Sequence, residues 1–409
     1  MEVRPYQEKA VEIGVNNLKS GKDPSILVAA TGAGKSHIIA NICKRLNAPT
    51  LILQPSKEIL DQNYAKLLQT GIRDVSIYSA SRNSKIIDNY TYATIGSIKN
   101  YSLFKHFKYI LMDECHLLNP KSLDSMYMKF FKAVNPIGIC GLTATPYRRV
   151  SKFYKEGEEL YYTSGFEMLN RIHPFFFKNI AYKVELAELI DMKYLAPVKY
   201  FVSKEEPKTL RINSTGSDFT DKSLFITSDL RKTKVAKAIT YANEMHKRFI
   251  TFVPSVANAY NLTEALRKNG IYIPTISAET PAKERDNLLL RYRNGEFKGM
   301  LNCGVFLIGL DVPSIDAVIW DRNTVHPAIL YQGIGRGLRI DPANPNKVLH
   351  VYDVSGSILK TGPVEAFRII KEDGFKDMLV TTVDGQQKQL TGRPVFTQKV
   401  SNLKYYNRT

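Results

Sequence analysis

The sequence predicts an α/β protein with two tandem lobes, each built around a parallel β-sheet. The chain has 409 residues, enough for two or three domains that each bury a core. Short apolar runs alternate with helical patterns over the first 150 residues, and a second alternating block extends from about 230 to 356. Apolar runs that alternate with helices are typical of a parallel sheet covered on both faces.

The first block contains five apolar runs of strand length. They are Ile26–Ala29, Leu51–Leu53, Val75–Tyr78, Tyr109–Met112 and Ile137–Gly141. Between the first two runs, Ser36–Leu46 places its apolar residues at helical spacing. Ligands of parallel sheets bind at the carboxyl ends of the strands. We therefore expect a functional site where these runs end.

The second block has the same character without a detectable sequence repeat. Its predicted strands are Phe249–Val253, Tyr272–Ile276, Gly299–Asn302, Ala317–Trp320 and Val348–Val354, and its predicted helices are Val256–Arg267 and Pro281–Asn294. We predict a first lobe over 1–150, a less regular connector over 151–229, a second lobe over 230–360 and a basic C-terminal extension over 361–409. The basic and aromatic run Tyr147–Lys155 is a candidate duplex contact or strand-separating wedge.

Composition narrows the class of protein. Fifty-seven Lys and Arg against 39 Asp and Glu give a net charge of +18, which favours a polyanion partner over a purely solubilising charge. No apolar window is long enough for a membrane span, and the charged, polar N-terminus predicts a protein that stays in the compartment where it is made. The four dispersed cysteines predict buried thiols and no structural zinc.

One motif follows the first predicted strand and opens the first predicted helix. It reads Ala30-Thr31-Gly32-Ala33-Gly34-Lys35-Ser36-His37, which is the context of a phosphate-binding P-loop. Its glycines let backbone N–H groups curl around phosphates at a helix N-terminus. Lys35 would reach the outer phosphates of ATP, and Ser36 would ligate Mg²⁺. The nucleotide-binding residues predicted here are Thr31, Gly32, Ala33, Gly34, Lys35, Ser36 and His37.

A second motif ends the strand Tyr109–Met112 in two carboxylates, Asp113 and Glu114. Asp113 would hold Mg²⁺, and Glu114 would orient and polarise the attacking water. An acidic strand end alone is ambiguous, but after a P-loop it indicates a nucleoside triphosphatase.

With its further motifs, the chain resembles the superfamily 2 helicases of the DEAD/DEAH-like group. Asp113-Glu114-Cys115-His116 matches the second family motif in its DECH form, and Gly141-Leu142-Thr143-Ala144-Thr145-Pro146 resembles the third. Arg4-Pro5-Tyr6-Gln7 resembles the adenine-reading motif, which implies nucleotide contacts from Arg4 and Gln7. The resemblance implies two RecA-like lobes with ATP in the cleft between them.

The second lobe carries two further resemblances. Asn302–Pro313 is similar to the fifth motif, which implies that Gly309 and Asp311 lie near the nucleotide. Tyr331–Arg339 matches the sixth motif, which implies catalytic roles for Gln332, Arg336 and Arg339. Because Arg336 and Arg339 are three residues apart, we predict that they share one face of a helix and act as arginine fingers.

The resemblance also places nucleic-acid contacts on both lobes. The predicted contacts are Ser56, Lys57 and Ser97 in the first lobe and Ser255 and Thr280 in the second. Short hydroxyls and backbone N–H groups suit phosphates and give no sequence preference. Each of these residues is equally well explained as loop or helix-cap chemistry.

Within the superfamily, the chain is most similar to the group of RadD, the XPB-type translocases and the phage branch-migration helicase UvsW. The segment Glu188–Pro197 resembles a linker motif of that group and of restriction-enzyme motor subunits. The resemblance implies an ATP- and Mg²⁺-dependent DNA helicase or translocase on forked, branched or duplex DNA, with single-strand-binding or recombination proteins as partners. An RNA helicase, a motor subunit of a nuclease complex and a silent scaffold are the alternatives.

Overall fold

Two parallel β-sheets, one in each of two units, organise the chain, which confirms the predicted fold class. The computed structural model describes residues 3–122, 124–157, 159–204, 207–216, 218–304, 312–372 and 376–399. The first unit comprises residues 1–148, 167–189 and 370–377. The second comprises residues 149–166, 190–369 and 378–409.

The sheet of the first unit has eight strands in the order β10-β1-β7-β6-β2-β5-β3-β4, parallel except for the edge strand β4. The strands are β1 Ser25–Ala29, β2 Thr50–Leu53, β3 Val75–Ser79, β4 Ser84–Lys85, β5 Tyr90–Ala93, β6 Tyr109–Asp113, β7 Gly138–Thr143 and β10 Asn179–Val184. The helices are α1 Pro5–Ser20, α2 Lys35–Leu46, α3 Lys57–Leu68 and α4 Met126–Val134.

Burial explains why these segments form strands. Every residue of β1, β2, β5 and β6 is buried, as continuous apolar runs in a doubly covered parallel sheet should be. The predicted helix at Ser36 begins one residue earlier, at Lys35, and buries Ile38, Ile42 and Leu46. Strand β10 lies within the predicted connector and pairs with β1 at the edge of the sheet.

The sheet of the second unit has six parallel strands in the order β11-β16-β15-β12-β14-β13. They are β11 Val198–Val202, β12 Phe249–Val253, β13 Thr275–Ser277, β14 Gly299–Cys303, β15 Ala317–Trp320 and β16 Leu349–Asp353. The helices are α6 Asp221–Leu230, α7 Lys232–Met245, α8 Val256–Arg267, α9 Ala282–Asn294, α10 Pro327–Gly335 and α11 Ser357–Thr361. The predicted strand Tyr272–Ile276 is wrong at its start, because Pro274 has no N–H to donate and Tyr272 is 60% exposed.

The connector and the C-terminal extension contain more strands than their sequences suggest. Strands β8 Tyr147–Glu156 and β9 Glu159–Met168 form a three-stranded sheet with β20 Pro394–Lys399. The basic run Tyr147–Lys155 therefore lies in β8. Strands β17 Arg368–Glu372, β18 Lys376–Val383 and β19 Gln386–Gln389 form another small sheet, and the helix α5 spans Leu186–Asp191.

The single tryptophan of the chain, Trp320, is fully buried on β15. Its Nε1 donates to the carbonyl oxygen of Arg322 at 2.6 Å. A Cβ on Gly333 of α10 would lie 2.4 Å from the indole ring, so only glycine allows α10 to pack this closely. The indole thus fixes the position of α10 on the sheet.

All four cysteines, Cys43, Cys115, Cys140 and Cys303, are buried and unpaired thiols, as the sequence predicts. In the part of the chain that the structure describes, none of the helices combines the length and the apolar character that crossing a membrane requires.

Candidate active site

The P-loop connects the carboxyl end of β1 to the start of α2. Gly32 and Gly34 adopt left-handed backbone conformations, with φ of 86° and 80°. A Cβ on Gly34 would lie 2.5 Å from Nε2 of Gln7. Glycine is therefore required at position 34 both by the backbone and by a neighbouring side chain. The loop leads into the N-terminus of α2, whose first two residues are Lys35 and Ser36 and whose free backbone N–H groups favour an anion.

The adenine-motif residues contact this loop directly. The hydroxyl of Tyr6 and Nε2 of Gln7 both donate to the carbonyl oxygen of Ala33, at 2.9 and 3.0 Å. Oε1 of Gln7 accepts from the N–H of Arg4 at 3.1 Å and so caps the start of α1. Helix α1 thereby holds the P-loop, and Gln7 retains one N–H and one lone pair for a base.

The side chain of Glu114 links the P-loop to the third motif. Its Oε1 lies 3.4 Å from Nζ of Lys35, and its Oε2 lies 3.3 Å from Nδ1 of His116. His116 also contacts the hydroxyl of Thr143 at 2.9 Å, and that hydroxyl accepts from the N–H of Thr145 at 3.0 Å. Glu114 itself has φ of 47°, which aims its side chain away from the strand. Three separate sequence motifs thus share one hydrogen-bonded network.

Asp113 ends β6 and is buried. Its Oδ1 accepts from the N–H of Glu114 at 2.9 Å, and its Oδ2 accepts from Nδ2 of Asn63 at 3.0 Å. Burial and the charge of Glu114 raise the pKa of Asp113 to about 6, against the opposing charge of Lys35. A cation beside this carboxylate would restore its ionised form. No motif singles out Asn63 in the sequence, so only its contact in the fold identifies it.

Two other predicted nucleotide residues lie in the same loop and helix. Thr31 is buried in the P-loop. Burial and the nearby charges of Lys66 and Arg4 lower the pKa of His37, which keeps its ring neutral at the start of α2. The first unit therefore brings together its predicted nucleotide residues from the adenine motif, the P-loop and the second motif.

The predicted strand-contacting hydroxyls of the first unit have intramolecular partners. Ser56 is the N-cap of α3 and accepts from the N–H of Ile59 at 3.5 Å, and Lys57 follows as the first helical residue. The hydroxyl of Ser97 accepts from the N–H of Ala80 at 2.9 Å. These side chains cap local structure and also stand at the carboxyl ends of β2 and β5.

The corresponding residues of the second unit are used in the same way. The hydroxyl of Ser255, the N-cap of α8, accepts from the N–H of Asn258 at 3.1 Å. The hydroxyl of Thr280 accepts from the N–H of Ser277 at 3.0 Å. Gly309 and Asp311, predicted from the fifth motif, lie outside the described residues.

The prediction that Arg336 and Arg339 share one face of a helix is wrong. Helix α10 carries Gln332 but ends at Gly335; Arg336 caps it, and Arg339 forms an isolated bridge with Leu195. Two residues after the end of the helix, a Cβ on Gly337 would lie 2.4 Å from the side chain of Leu349, so the chain packs closely against this leucine. Arg336 therefore lies in the turn after α10 and Arg339 in a β-bridge, and the two do not share a helix face.

A buried lysine that sequence reasoning missed supports this turn. Nζ of Lys347 donates to the carbonyl oxygens of Pro313, Ile315 and Gly337 at 2.7, 2.9 and 2.8 Å. Burial lowers the pKa of Lys347 to about 8. Its three hydrogen bonds join the end of the fifth motif, at Pro313, and the nearby Ile315 to Gly337 in the middle of the sixth motif. An isolated lysine in a polar stretch gives no sequence signal for such a role.

Comparison with known proteins agrees with these motifs. Residues 1–148 match the family model described as Type III restriction enzyme, res subunit, and residues 214–341 match the Helicase conserved C-terminal domain. A Saccharomyces cerevisiae protein named as the ATP-dependent helicase IRC3 is 27% identical over 384 residues, which cover 87% of this chain and 52% of that protein. The chain thus spans about half the length of IRC3.

Two further matches support the assignment. The DNA 3'-5' translocase XPB2 of Sulfurisphaera tokodaii is 26% identical over 384 residues, covering 83% of this chain and 79% of that protein. A fragment of an HsdR subunit of a type I restriction enzyme from Vibrio vulnificus has a TM-score of 0.64 and 20% identity, covering 91% of this chain and 70% of that one. The latter shows the fold alone. The motifs from Arg4 to Arg339 follow the family order, and the two matched domains with these relatives support a superfamily 2 helicase built on two RecA-like units.

Proposed function

We propose that this chain is a nucleic-acid-stimulated ATPase that uses ATP hydrolysis to move along DNA and to unwind or branch-migrate forked and branched DNA. One observation carries the proposal: Lys35, Asp113 and Glu114 converge at the carboxyl edge of the first sheet, with Nζ of Lys35 3.4 Å from Glu114. A phosphate-binding lysine beside two carboxylates is an arrangement suited to phosphoryl transfer to water.

In the proposed reaction Glu114 orients a water molecule and takes its proton as the water oxygen attacks the γ-phosphorus. The bond between that phosphorus and the bridging oxygen breaks, and ADP leaves. Lys35 stabilises the charge on the phosphate oxygens. His116 and Thr143 hold Glu114 in place, which relates the third motif to the reacting atoms through two hydrogen-bonded side chains.

The proposal includes Mg²⁺, since the hydroxyl of Ser36 and the carboxylate of Asp113 are hard oxygen donors of the kind that this ion prefers. The buried Asp113, with its raised pKa, is a fitting partner for a cation. When bound, Mg²⁺ would neutralise charge on the phosphates.

The second unit supplies the remaining proposed catalytic groups. Gln332, Arg336 and Arg339 are partly exposed. We assign them to the γ-phosphate by motif, with Gly309 and Asp311 near the nucleotide. Arginines in such positions increase phosphoryl-transfer rates by about 10³- to 10⁵-fold in related systems. Removal of the γ-phosphate would break its contacts with these residues and so change the affinity for DNA.

DNA is the proposed track for two reasons. The net charge of +18 suits a polyanion, and the similar XPB2 protein is named as a DNA translocase. The proposed backbone contacts are Ser56, Lys57, Ser97, Ser255 and Thr280. Their chemistry reads phosphate and not base sequence, which fits a motor. Single-strand-binding and recombination proteins are the proposed partners.

A second candidate is a motor subunit of a restriction-type nuclease complex. The match of residues 1–148 to a restriction-enzyme res subunit and the fold shared with an HsdR fragment favour it. Affinity purification from the native cell separates the two: co-purification of a nuclease or methyltransferase in fixed ratio would favour the motor subunit.

The deciding experiment is a matched panel of ATPase and unwinding assays. Single-stranded DNA, blunt duplex, a fork, a Holliday junction and an RNA duplex are compared at the same nucleotide and salt concentrations. We expect stimulation by DNA and the highest unwinding rate on the fork or the junction. Stimulation by RNA alone would reject the proposal in favour of an RNA helicase.

A further inference from the structure

Helix α3 joins two functional parts of the first unit. Its N-cap is Ser56 and its first residue is Lys57, both proposed to contact the DNA backbone. Seven residues after Ser56, or roughly 10 Å along the helix axis, Nδ2 of Asn63 donates to Oδ2 of Asp113 at 3.0 Å. One rigid element therefore carries a proposed DNA contact at its start and a bond to the second motif at its middle.

The bond between Asn63 and Asp113 is shielded from water. Asn63 is 1% exposed and Asp113 is 5% exposed. A hydrogen bond to a carboxylate in such surroundings is strong and directional. The other oxygen of Asp113 accepts from the backbone N–H of Glu114. A displacement of α3 would therefore act on Asp113 through its side-chain bond with Asn63.

A second observation concerns buried polar atoms near this helix. Oδ1 of Asn63, both amide atoms of Gln54 and the hydroxyl of Tyr92 are buried and have no hydrogen-bond partner among the residues that the structure describes. Gln54 follows β2 and precedes the segment that starts α3, while Tyr92 lies on the adjacent strand β5.

Unpartnered buried groups cost free energy, and they offer donors and acceptors for a different set of bonds. They are carried by α3, by the segment leading into it and by a neighbouring strand. A helix whose buried bond to the second motif has unused bonding groups beside it is suited to two positions.

We propose that Asn63 is a positioning residue that couples DNA at the start of α3 to the nucleotide site at Asp113. DNA held by Ser56 and Lys57 would shift α3, and Asn63 would change how Asp113 is held. The reverse follows by thermodynamic linkage, since nucleotide at Asp113 must then change the affinity for DNA by the same factor. This inference rests on the proposed function.

The test is a binding cycle with Asn63→Leu, which keeps the size of the side chain and removes its donor. The affinity for forked DNA is measured with and without a non-hydrolysable ATP analogue and Mg²⁺, and the affinity for the analogue is measured with and without the fork. Coupling between two sites typically amounts to about 5- to 150-fold. We expect this factor to fall at least about fivefold in the variant, and the DNA stimulation of ATP hydrolysis to fall with it.

Asn89→Leu is the matched control. Nδ2 of Asn89 donates to a carboxylate oxygen of Asp74 at 2.7 Å, in the same unit but before β5 begins, at the amino edge of the sheet. This variant should keep the wild-type coupling factor. Should thermal melting show that Asn63→Leu does not fold, Asn63→Ser, whose hydroxyl is shorter than the amide, takes its place.

The two possible failures are distinguishable. A wild-type protein whose ATPase ignores DNA would reject the proposed function itself. A wild-type protein with clear coupling, together with an Asn63 variant of unchanged coupling, would reject the role of Asn63 and leave the motor intact. A structural role alone would lower stability and both separate affinities without changing their mutual dependence.

Discussion

The ammonium group of Lys35 lies 3.4 Å from a carboxylate oxygen of Glu114, and both side chains are largely buried. Phosphates at the start of α2 would attract Lys35 away from this carboxylate. Lys35→Ala is therefore expected to abolish ATP hydrolysis, while DNA binding without nucleotide stays largely intact. An assay of phosphate release tests the loss of hydrolysis, and fluorescence anisotropy tests whether DNA binding is retained. Glu114→Gln should still bind ATP without hydrolysing it, and normal turnover in the Lys35 variant would refute the site.

Gly34→Ala should eliminate nucleotide binding, because its Cβ would lie 2.5 Å from Nε2 of Gln7 and its backbone has φ of 80°. Gly71→Ala is a matched control, with φ of 93° and no atom within 4 Å of the added Cβ. Both exchanges cost about 1 kcal/mol of backbone strain. Calorimetric titration with ATP should detect binding for the control alone; equal affinities would mean that the contact with Gln7 is unimportant.

Asp113→Asn should inactivate the enzyme and stabilise the metal-free protein at neutral pH. The folded-state pKa of Asp113, raised by burial and by Glu114 to about 6, exceeds its ordinary value of 3.8. Its protonation therefore favours folding, fully below about pH 4, and this contribution is lost as pH rises through about 6. The neutral amide avoids that loss, a gain of about 3 kcal/mol at neutral pH. Thermal melting of the variant and the wild type from pH 4 to 8 tests this prediction. A difference in melting temperature between the two proteins that does not widen as the pH rises would contradict it.

Lys347→Met should destabilise the second unit by about 3 kcal/mol, because three buried carbonyl groups lose their donor. The turn that carries Arg336 and Arg339 would lose its support, so ATP hydrolysis should also fall. Urea denaturation followed by circular dichroism measures the first effect. Lys360→Met, at an exposed lysine, is the control, and equal midpoints for both variants would show that the three bonds contribute nothing.

Removing residues 400–409, which include Lys404 and Arg408, should weaken DNA binding more than ATP binding. Loss of two phosphate contacts would reduce the slope of log affinity against log salt by about 2. A cut after residue 384 would also remove β19 and β20 and leave one edge of β9 unpaired, so it is the wrong variant. An unchanged salt slope would show that the segment does not contact DNA.

The sequence locates elements well where local pattern and fold agree. Strands Phe249–Val253 and Ala317–Trp320 and helix Val256–Arg267 have the predicted bounds, because their apolar residues are buried throughout a strand or at helical spacing. The P-loop and the second motif are predictable for the same reason: each is a short local pattern at the end of a strand.

What the sequence could not predict depends on distant contacts. Asn63 lies 50 positions from Asp113, and Lys347 lies 10 from Gly337 with no motif around it. The end of α10 at Gly335 and the close packing of Gly337 against Leu349 are not visible in the helical spacing of the sixth motif. Strands β9 and β20 pair across more than 200 residues, so the sequence alone does not relate the connector to the C-terminal extension.

The burial of the only tryptophan against α10 gives this protein a built-in optical probe. Indole emission is sensitive to the packing around the ring, and here that packing includes Gly333, the neighbour of Gln332. Excitation at the red edge of indole absorption avoids both adenine nucleotides and tyrosine. Stopped-flow mixing with ATP could therefore measure the rate at which packing around the sixth motif changes in the unlabelled wild-type chain. Trp320→Phe, which lacks indole emission, is the control.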